Sequence, residues 1–186
     1  PLRVTRLKAS DNYPKRYATL TMTVKERIAY YSLGFVGEQY LPSIGLQAIK
    51  ENYSTENFII LAGMSDKDNP FELREYFSKA IEENKIPIPQ KSIAVQTIVK
   101  WQINHILKTN IDIYEGCKKI EELLDQTQTE WQTLDLWNIY LDYISLWEEI
   151  SDGLQMRSKG ESKQEYILKT KKKIKLQFEA WLENVA

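Results

Sequence analysis

Residues 131–150 read WQTLDLWNIYLDYISLWEEI, and this stretch decides the fold class. If it forms a helix, apolar side chains cover most of its circumference and polar side chains are confined to a narrow strip. A helix of that kind has to be covered by other elements on more than one side. We therefore predict a central helix over 131–154, the seventh in the chain, surrounded by further helices.

Signals for the start of a helix recur along the rest of the chain. A capping residue is followed three positions later by glutamate at Thr23/Glu26, Asn69/Glu72, Asp112/Glu115 and Ser162/Glu165. The chain has only seven glycines and six prolines, which favours long regular elements. With the spacing of apolar residues added, the predicted helices are 24–37, 43–52, 55–64, 70–84, 91–109, 113–125, 131–154 and 163–184.

These signals predict an all-α fold, a single domain of seven or eight helices with a short extended N-terminal arm. The 186 residues suffice for one self-supporting core. Residues 1–22 form the arm, because basic residues dominate it and its last apolar residues alternate with polar and aromatic ones. The arm either lies across the helices or grips a partner. The helical domain spans 23–186, and two prolines predict a hinge at 85–90.

The charge and cysteine content exclude several classes of protein. The 25 basic and 26 acidic residues give a net charge of −1, so no overall field attracts nucleic acid or an anionic membrane. One cysteine cannot form an intramolecular disulfide. No run of 18 apolar residues and no signal-peptide pattern occurs. We expect a cytoplasmic protein that does not contact membranes.

The motifs of metal, nucleotide and nucleophile sites are missing from the sequence, which contains no CxxC, HExxH, GxGxxG, GxxxxGK[ST] or GxSxG. We therefore expect no cofactor and no metal, and assign no catalytic residue. Cys117 with His105 as its base is one combination to weigh, but an unpaired cysteine is usually a small buried hydrophobe. The alternative is an enzyme with an unmarked carboxylate-lined pocket, built from acidic residues of the seventh helix with Tyr140 or His105.

Polar residues recur along the seventh helix at spacings of three and four, which keep side chains on one face. They are Asp135, Asn138, Asp142, Ser145, Glu149 and Asp152. Nine acidic residues and no Lys or Arg lie between Ile120 and Met156. Aromatic residues beside patterned charge are typical of binding surfaces. We predict that a basic protein docks on Asp135, Asp142, Glu149 and Asp152 together with Trp131, Trp137, Tyr140 and Trp147.

A cluster of lysines follows in the eighth helix, at Lys169, Lys171, Lys172, Lys173 and Lys175. In one interpretation the last two helices form an antiparallel hairpin, and these lysines pair with the acidic strip. In another they contact an anion and bind nucleic acid weakly, although nucleic acid is not the expected partner. A homodimer is a further alternative, because a surface that binds another protein can bind its own copy.

Four segments carry a resemblance to known proteins: LAGM at 61–64, NPFEL at 69–73, YFSKAIEE at 76–83 and IDIYEGC at 111–117. Over residues 41–124 the chain resembles small, poorly characterised bacterial all-helical proteins, some of which are immunity partners of polymorphic toxins. The resemblance implies a cytoplasmic bacterial protein that neutralises a partner by binding, and it carries over no catalytic residue. The sequence as a whole thus favours a non-enzymatic protein-binding module.

Overall fold

The computed structural model describes residues 22–109 and 111–185, and within them the chain is helical without a β-strand. Eight α-helices lie in this part of the chain: α1 Val24–Ser32, α2 Leu41–Lys50, α3 Glu56–Gly63, α4 Pro70–Glu83, α5 Lys91–Lys108, α6 Ile113–Thr127, α7 Trp137–Ile150 and α8 Lys163–Asn184. Two 3-10 helices span Glu38–Tyr40 and Trp131–Leu134. The all-α prediction is confirmed. The predicted arm, apart from Met22, lies outside the described residues.

All four predicted capping residues stand directly before a helix. Thr23 and Ser162 form reciprocal capping boxes, in which the hydroxyl accepts from a backbone N–H and a glutamate accepts in return. Asn69 and Asp112 each accept one backbone N–H, at 3.0 Å. Because these caps satisfy N–H groups that a helix start leaves unpaired, the starts of these helices follow from local sequence.

The first helix is shorter than predicted and ends at Ser32 instead of residue 37. Two residues later Gly34 has φ +75°, a left-handed conformation that glycine adopts without steric cost. The chain turns there and passes through the 3-10 helix at Glu38–Tyr40 before α2 begins. The local turn therefore overrides the apolar spacing that extended the prediction.

The chain divides into two compact units between Ala94 and Val95, inside α5. The hinge predicted at 85–90 lies just before this division, in a segment without helix, and it stays a prediction. The first unit contains α1 to α4, and the second contains most of α5 together with α6, α7 and α8.

The first unit is organised around one apolar core, to which α1 to α4 all contribute. Its members are Val24, Ile28, Leu41, Ile44, Ala48, Phe58, Leu61, Leu73, Phe77, Ala80, Ile81 and Ile86. At Gly45 an added Cβ would lie 2.7 Å from the backbone nitrogen of Ala62. Glycine therefore permits a close approach of α2 and α3 that no larger residue allows.

In the second unit α6, α7 and α8 all pack against one another. The fifth helix reaches α6 at Gly116, where an added Cβ would lie 2.7 Å from Ile106. The buried side chains of α7 are Ile139, Tyr143, Leu146 and Glu149, and those of α8 are Thr170, Ile174, Phe178 and Trp181. This packing fixes α7 with one side against α8. In neither unit does a described helix combine the length and apolar character needed to cross a bilayer.

Candidate protein-binding face

The helix predicted over 131–154 is interrupted, and that prediction is wrong. A 3-10 helix over Trp131–Leu134 ends at Asp135, which has φ 57° in the left-handed region. The backbone N–H of Leu136 then bonds to the carbonyl of Trp131 at 2.9 Å, and α7 begins one residue later. Aspartate tolerates this conformation better than most residues. Asp135 therefore stands outside the helix and not in line with Asp142.

The predicted acidic strip is largely neutralised within the chain. Asp142 pairs with Lys173 at 2.9 Å and also accepts from the amide nitrogen of Gln177 at 2.9 Å. At the end of α7, Asp152 pairs with Lys163. For these two carboxylates the intramolecular interpretation is confirmed. The Lys163 ammonium, which donates to Asp152, also holds the pKa of that carboxyl below its usual value.

The prediction that Glu149 belongs to an accessible docking face is wrong. The Glu149 side chain is 2% exposed and pairs with Arg157, and one of its oxygens accepts from the backbone N–H of Met156 at 2.9 Å. The segment after α7 folds back over this carboxylate. Glu149 therefore holds that segment in place and is not accessible to a partner.

The lysine cluster of α8 is also partly used. Lys171 pairs with Asp112, Lys173 with Asp142, and Lys169 makes a long contact of 3.4 Å to Glu161. Lys172 and Lys175 are exposed and form no ion pair with a described residue. Only these two lysines of the cluster are exposed and without an ion pair to a described residue. Two charges give a weak contact with nucleic acid, because affinity rises with the number of phosphates that basic side chains neutralise.

The predicted aromatic residues divide into buried and exposed members. Trp131 is 7% exposed, which corrects its place on the docking face, and its ring packs against Tyr140 at 5.3 Å and Tyr143 at 6.3 Å. Tyr140 in turn stacks on Trp137 at 5.2 Å. The rings form a continuous series from the core to the surface, so Trp137 rests on a rigid support.

One side of α7 is apolar and open to solvent. Trp137, Leu141 and Trp147 are 41%, 47% and 42% exposed, respectively. Trp137, Leu141 and Ile144 follow the i, i+4, i+7 spacing of one helix face, with Tyr140 and Trp147 along its edge. We call Trp137, Tyr140, Leu141, Ile144 and Trp147 the aromatic face. Sequence reasoning missed Leu141 and Ile144, because it expected the apolar residues of this helix to be covered by other helices.

Most acidic residues in and around α6 and α7 form no ion pair with a described residue. Of the nine between Ile120 and Met156, six form no ion pair with a described residue: Glu121, Glu122, Asp125, Glu130, Asp135 and Glu148. Glu148 lies four residues after Ile144, on the same face of α7. Glu121 accepts from the hydroxyl of Tyr143 at 2.8 Å, which ties α6 to α7. Burial and this bond to a carboxylate raise the pKa of Tyr143.

The remaining reactive side chains are buried away from solvent. Cys117 is fully buried, as predicted for an unpaired cysteine, and burial raises the pKa of its thiol. A protonated thiol is a poor nucleophile. His105 is 2% exposed and stacks on Trp101 at 5.3 Å, and burial followed by the charge of Lys119 lowers its pKa. Among the described residues, no three His, Cys, Asp or Glu side chains converge on a metal-sized site.

Comparison of the chain with protein-family models, with curated proteins and with solved structures found no match in any of the three.

Proposed function

We propose that this protein is a non-enzymatic binding module that docks a basic partner on the aromatic face of α7. The observation that carries the proposal is the exposure of Trp137, Leu141 and Trp147 on one side of a helix whose other side is buried. Exposed apolar residues grouped on one face mark interaction sites, whereas scattered ones are ordinary. Tryptophans are also the side chains most often responsible for binding energy at interfaces.

The charge of the partner follows from the acidic residues nearby. Glu148 continues the aromatic stripe, and Glu121 and Asp125 lie on α6, the helix that Tyr143 joins to α7. None of the three forms an ion pair with a described Lys or Arg. A segment with apolar side chains on one face and lysines or arginines beside them is complementary to this surface. On the resemblance of residues 41–124 alone, we further propose that binding neutralises a toxin-like partner.

A site-specific cross-link in the source organism tests the proposal. A photoreactive phenylalanine analogue replaces Leu141, and a matched chain carries it at Leu176, which is 57% exposed on α8. We expect position 141 to cross-link one basic protein, and position 176 not to do so. Substituting Trp137→Ala in the same chain should reduce the cross-linked yield about 30-fold, as for a residue that dominates an interface.

Three outcomes would contradict the proposal. The same products from both positions would indicate non-specific contact. An acidic product from position 141 would be inconsistent with the charge argument. A cross-link to a second copy of the chain would assign the aromatic face to a homodimer instead. Circular dichroism on each variant establishes beforehand that it is folded.

A further inference from the structure

A groove lies on the other side of the α7–α8 pair and is separate from the aromatic face. Its volume is about 440 Å³, within the range of small-molecule sites. Asp135 and Asn138 form one wall, and Gln177 and Asn184 form the other. Ile139 and Trp181, both buried, line its apolar part.

The floor of this groove is rigid. The indole nitrogen of Trp181 donates to the carbonyl of Leu134 at 2.6 Å, so the ring cannot rotate without breaking a buried hydrogen bond. Leu134 is the last residue before the left-handed Asp135. The same bond therefore holds the Asp135 backbone at the rim of the groove.

Gln177 contributes an acceptor whose orientation is fixed. Its Nε2 donates to Asp142 at 2.9 Å, and a carboxylate can only accept, so the amide cannot be flipped. The Oε1 atom is then a buried acceptor that receives no hydrogen bond from a described residue. A buried acceptor without a donor is destabilising, so a donor group brought close to it from the groove is favoured.

The charged side chain of the groove lining that lacks a counter-ion among the described residues is an aspartate. Asp135 is exposed and forms no ion pair with a described residue. The groove also lies at the C-terminal end of α8, where the helix dipole is negative and the last turn has no basic side chain. One ammonium group already lies at this end and offsets part of the dipole, since Lys100 Nζ donates to the carbonyl of Val185 at 2.9 Å. Asp135 is therefore the negative group that is left for a ligand.

From these observations we infer that the groove binds an organic cation, an alkylammonium or alkylguanidinium group whose apolar stem rests on Ile139 and Trp181. The charged head meets Asp135, and one of its N–H groups reaches toward Gln177. A free amine and the side chain of a basic residue share this chemistry. The inference does not depend on the proposed function, because it uses neither the aromatic face nor its acidic neighbours.

Titration of the whole chain with n-butylguanidinium tests this inference, and the neutral isostere n-butylurea serves as the matched probe. Two-dimensional NMR follows the indole N–H of Trp181 and the side-chain amides of Asn138 and Asn184. We expect saturable shifts with butylguanidinium and none with butylurea. A blocked Gly-Arg-Gly peptide separates the two sources: binding as tight as the free probe indicates a protein side chain, and weaker binding indicates a free amine.

Two aspartates provide matched variants, because Asp135 and Asp152 both have left-handed backbones, with φ 57° and 56°, which asparagine also adopts. We expect Asp135→Asn to weaken butylguanidinium binding about fivefold, as for a partly exposed charge pair. Asp152→Asn, outside the groove, should leave it unchanged. Equal shifts with butylurea, no saturable shift with butylguanidinium, or equal weakening by both variants would overturn the inference. The comparison of probes on the unsubstituted chain applies even if Asp135→Asn does not fold.

Discussion

The side of α7 that faces α8 and the aromatic face differ in how their side chains are satisfied. Toward α8, Asp142 has both a lysine and an amide as partners, and Glu149 is closed off by the segment that follows the helix. On the aromatic face, Trp137, Leu141 and Trp147 remain 41–47% exposed. One helix thus carries both a charge network that joins α7 to neighbouring segments and the exposed apolar surface on which we propose that a partner docks.

The largest expected effect separates two tryptophans that differ in burial. We expect Trp131→Ala, which removes a ring 7% exposed, to lower the free energy of unfolding by about 3 kcal/mol. Trp147→Ala, at 42% exposure, should lower it by about 1 kcal/mol or less. Urea unfolding followed by far-ultraviolet circular dichroism measures both. Equal losses would contradict the assignment of Trp131 to the core and Trp147 to the surface.

Two adjacent glutamates give the next largest difference. We expect Glu149→Ala to cost about 3 kcal/mol, because it leaves Arg157 beside a buried site without its partner. Glu148→Ala, one position along on the aromatic side, removes a carboxylate that accepts from the exposed backbone N–H of Leu154 at 2.9 Å, and it should cost about 1 kcal/mol. The measurement is again urea unfolding. A loss at Glu148 as large as that at Glu149 would contradict the conclusion that the buried ion pair of Glu149 contributes more than the exposed contact of Glu148.

A smaller effect is expected at the ion pair between Asp142 and Lys173. A double-mutant cycle with Asp142→Asn and Lys173→Gln should give a coupling of about 0.5 kcal/mol, since the lysine is largely exposed. The matched cycle replaces Lys173→Gln by Lys172→Gln, whose lysine makes no ion pair with Asp142, and should give no coupling. Identical values in both cycles would mean that only the general field of α8 acts on Asp142.

The smallest effect is a pH dependence at Asp152. Because the hydrogen bond and charge of Lys163 lower the pKa of Asp152 in the folded chain, its contribution to stability is present above the unfolded pKa of about 3.9. That contribution is lost as the pH falls through the lower folded value. The difference in melting temperature between the original chain and Asp152→Asn should therefore shrink below about pH 4. A difference that stays constant down to pH 2.5 would contradict it.

The sequence predicted what depends on neighbouring residues. Capping at Thr23 and Ser162, together with apolar spacing, placed eight helices with most boundaries within a few residues. The pairing of α8 lysines with α7 carboxylates is one of the interpretations of the lysine cluster. It is predicted because a lysine-rich segment directly follows an acidic one in the sequence. Each of these features is decided by residues within a few turns or in the next element.

The features that sequence reasoning missed depend on contacts between distant residues. The left-handed turn at Asp135 is stabilised by the bond from Trp181 to Leu134, which joins positions 47 residues apart. Periodicity in 131–150 fits one long helix equally well. The burial of Glu149 depends on the segment after α7, which folds back over its carboxylate. The spacing of residues within α7 does not predict this contact. The groove at Gln177 likewise exists only once α7 and α8 have packed.

The two aspartates with left-handed backbone conformations also limit the length of α7. Asp135 precedes α7 and Asp152 follows it, so the helix has 14 residues and, at 1.5 Å per residue, is about 21 Å long. A partner helix lying along it can therefore align about four turns with α7, of which about three run beside the aromatic face. For the amphipathic partner proposed above, peptides shortened below that span should lose affinity stepwise, whereas longer ones should gain none.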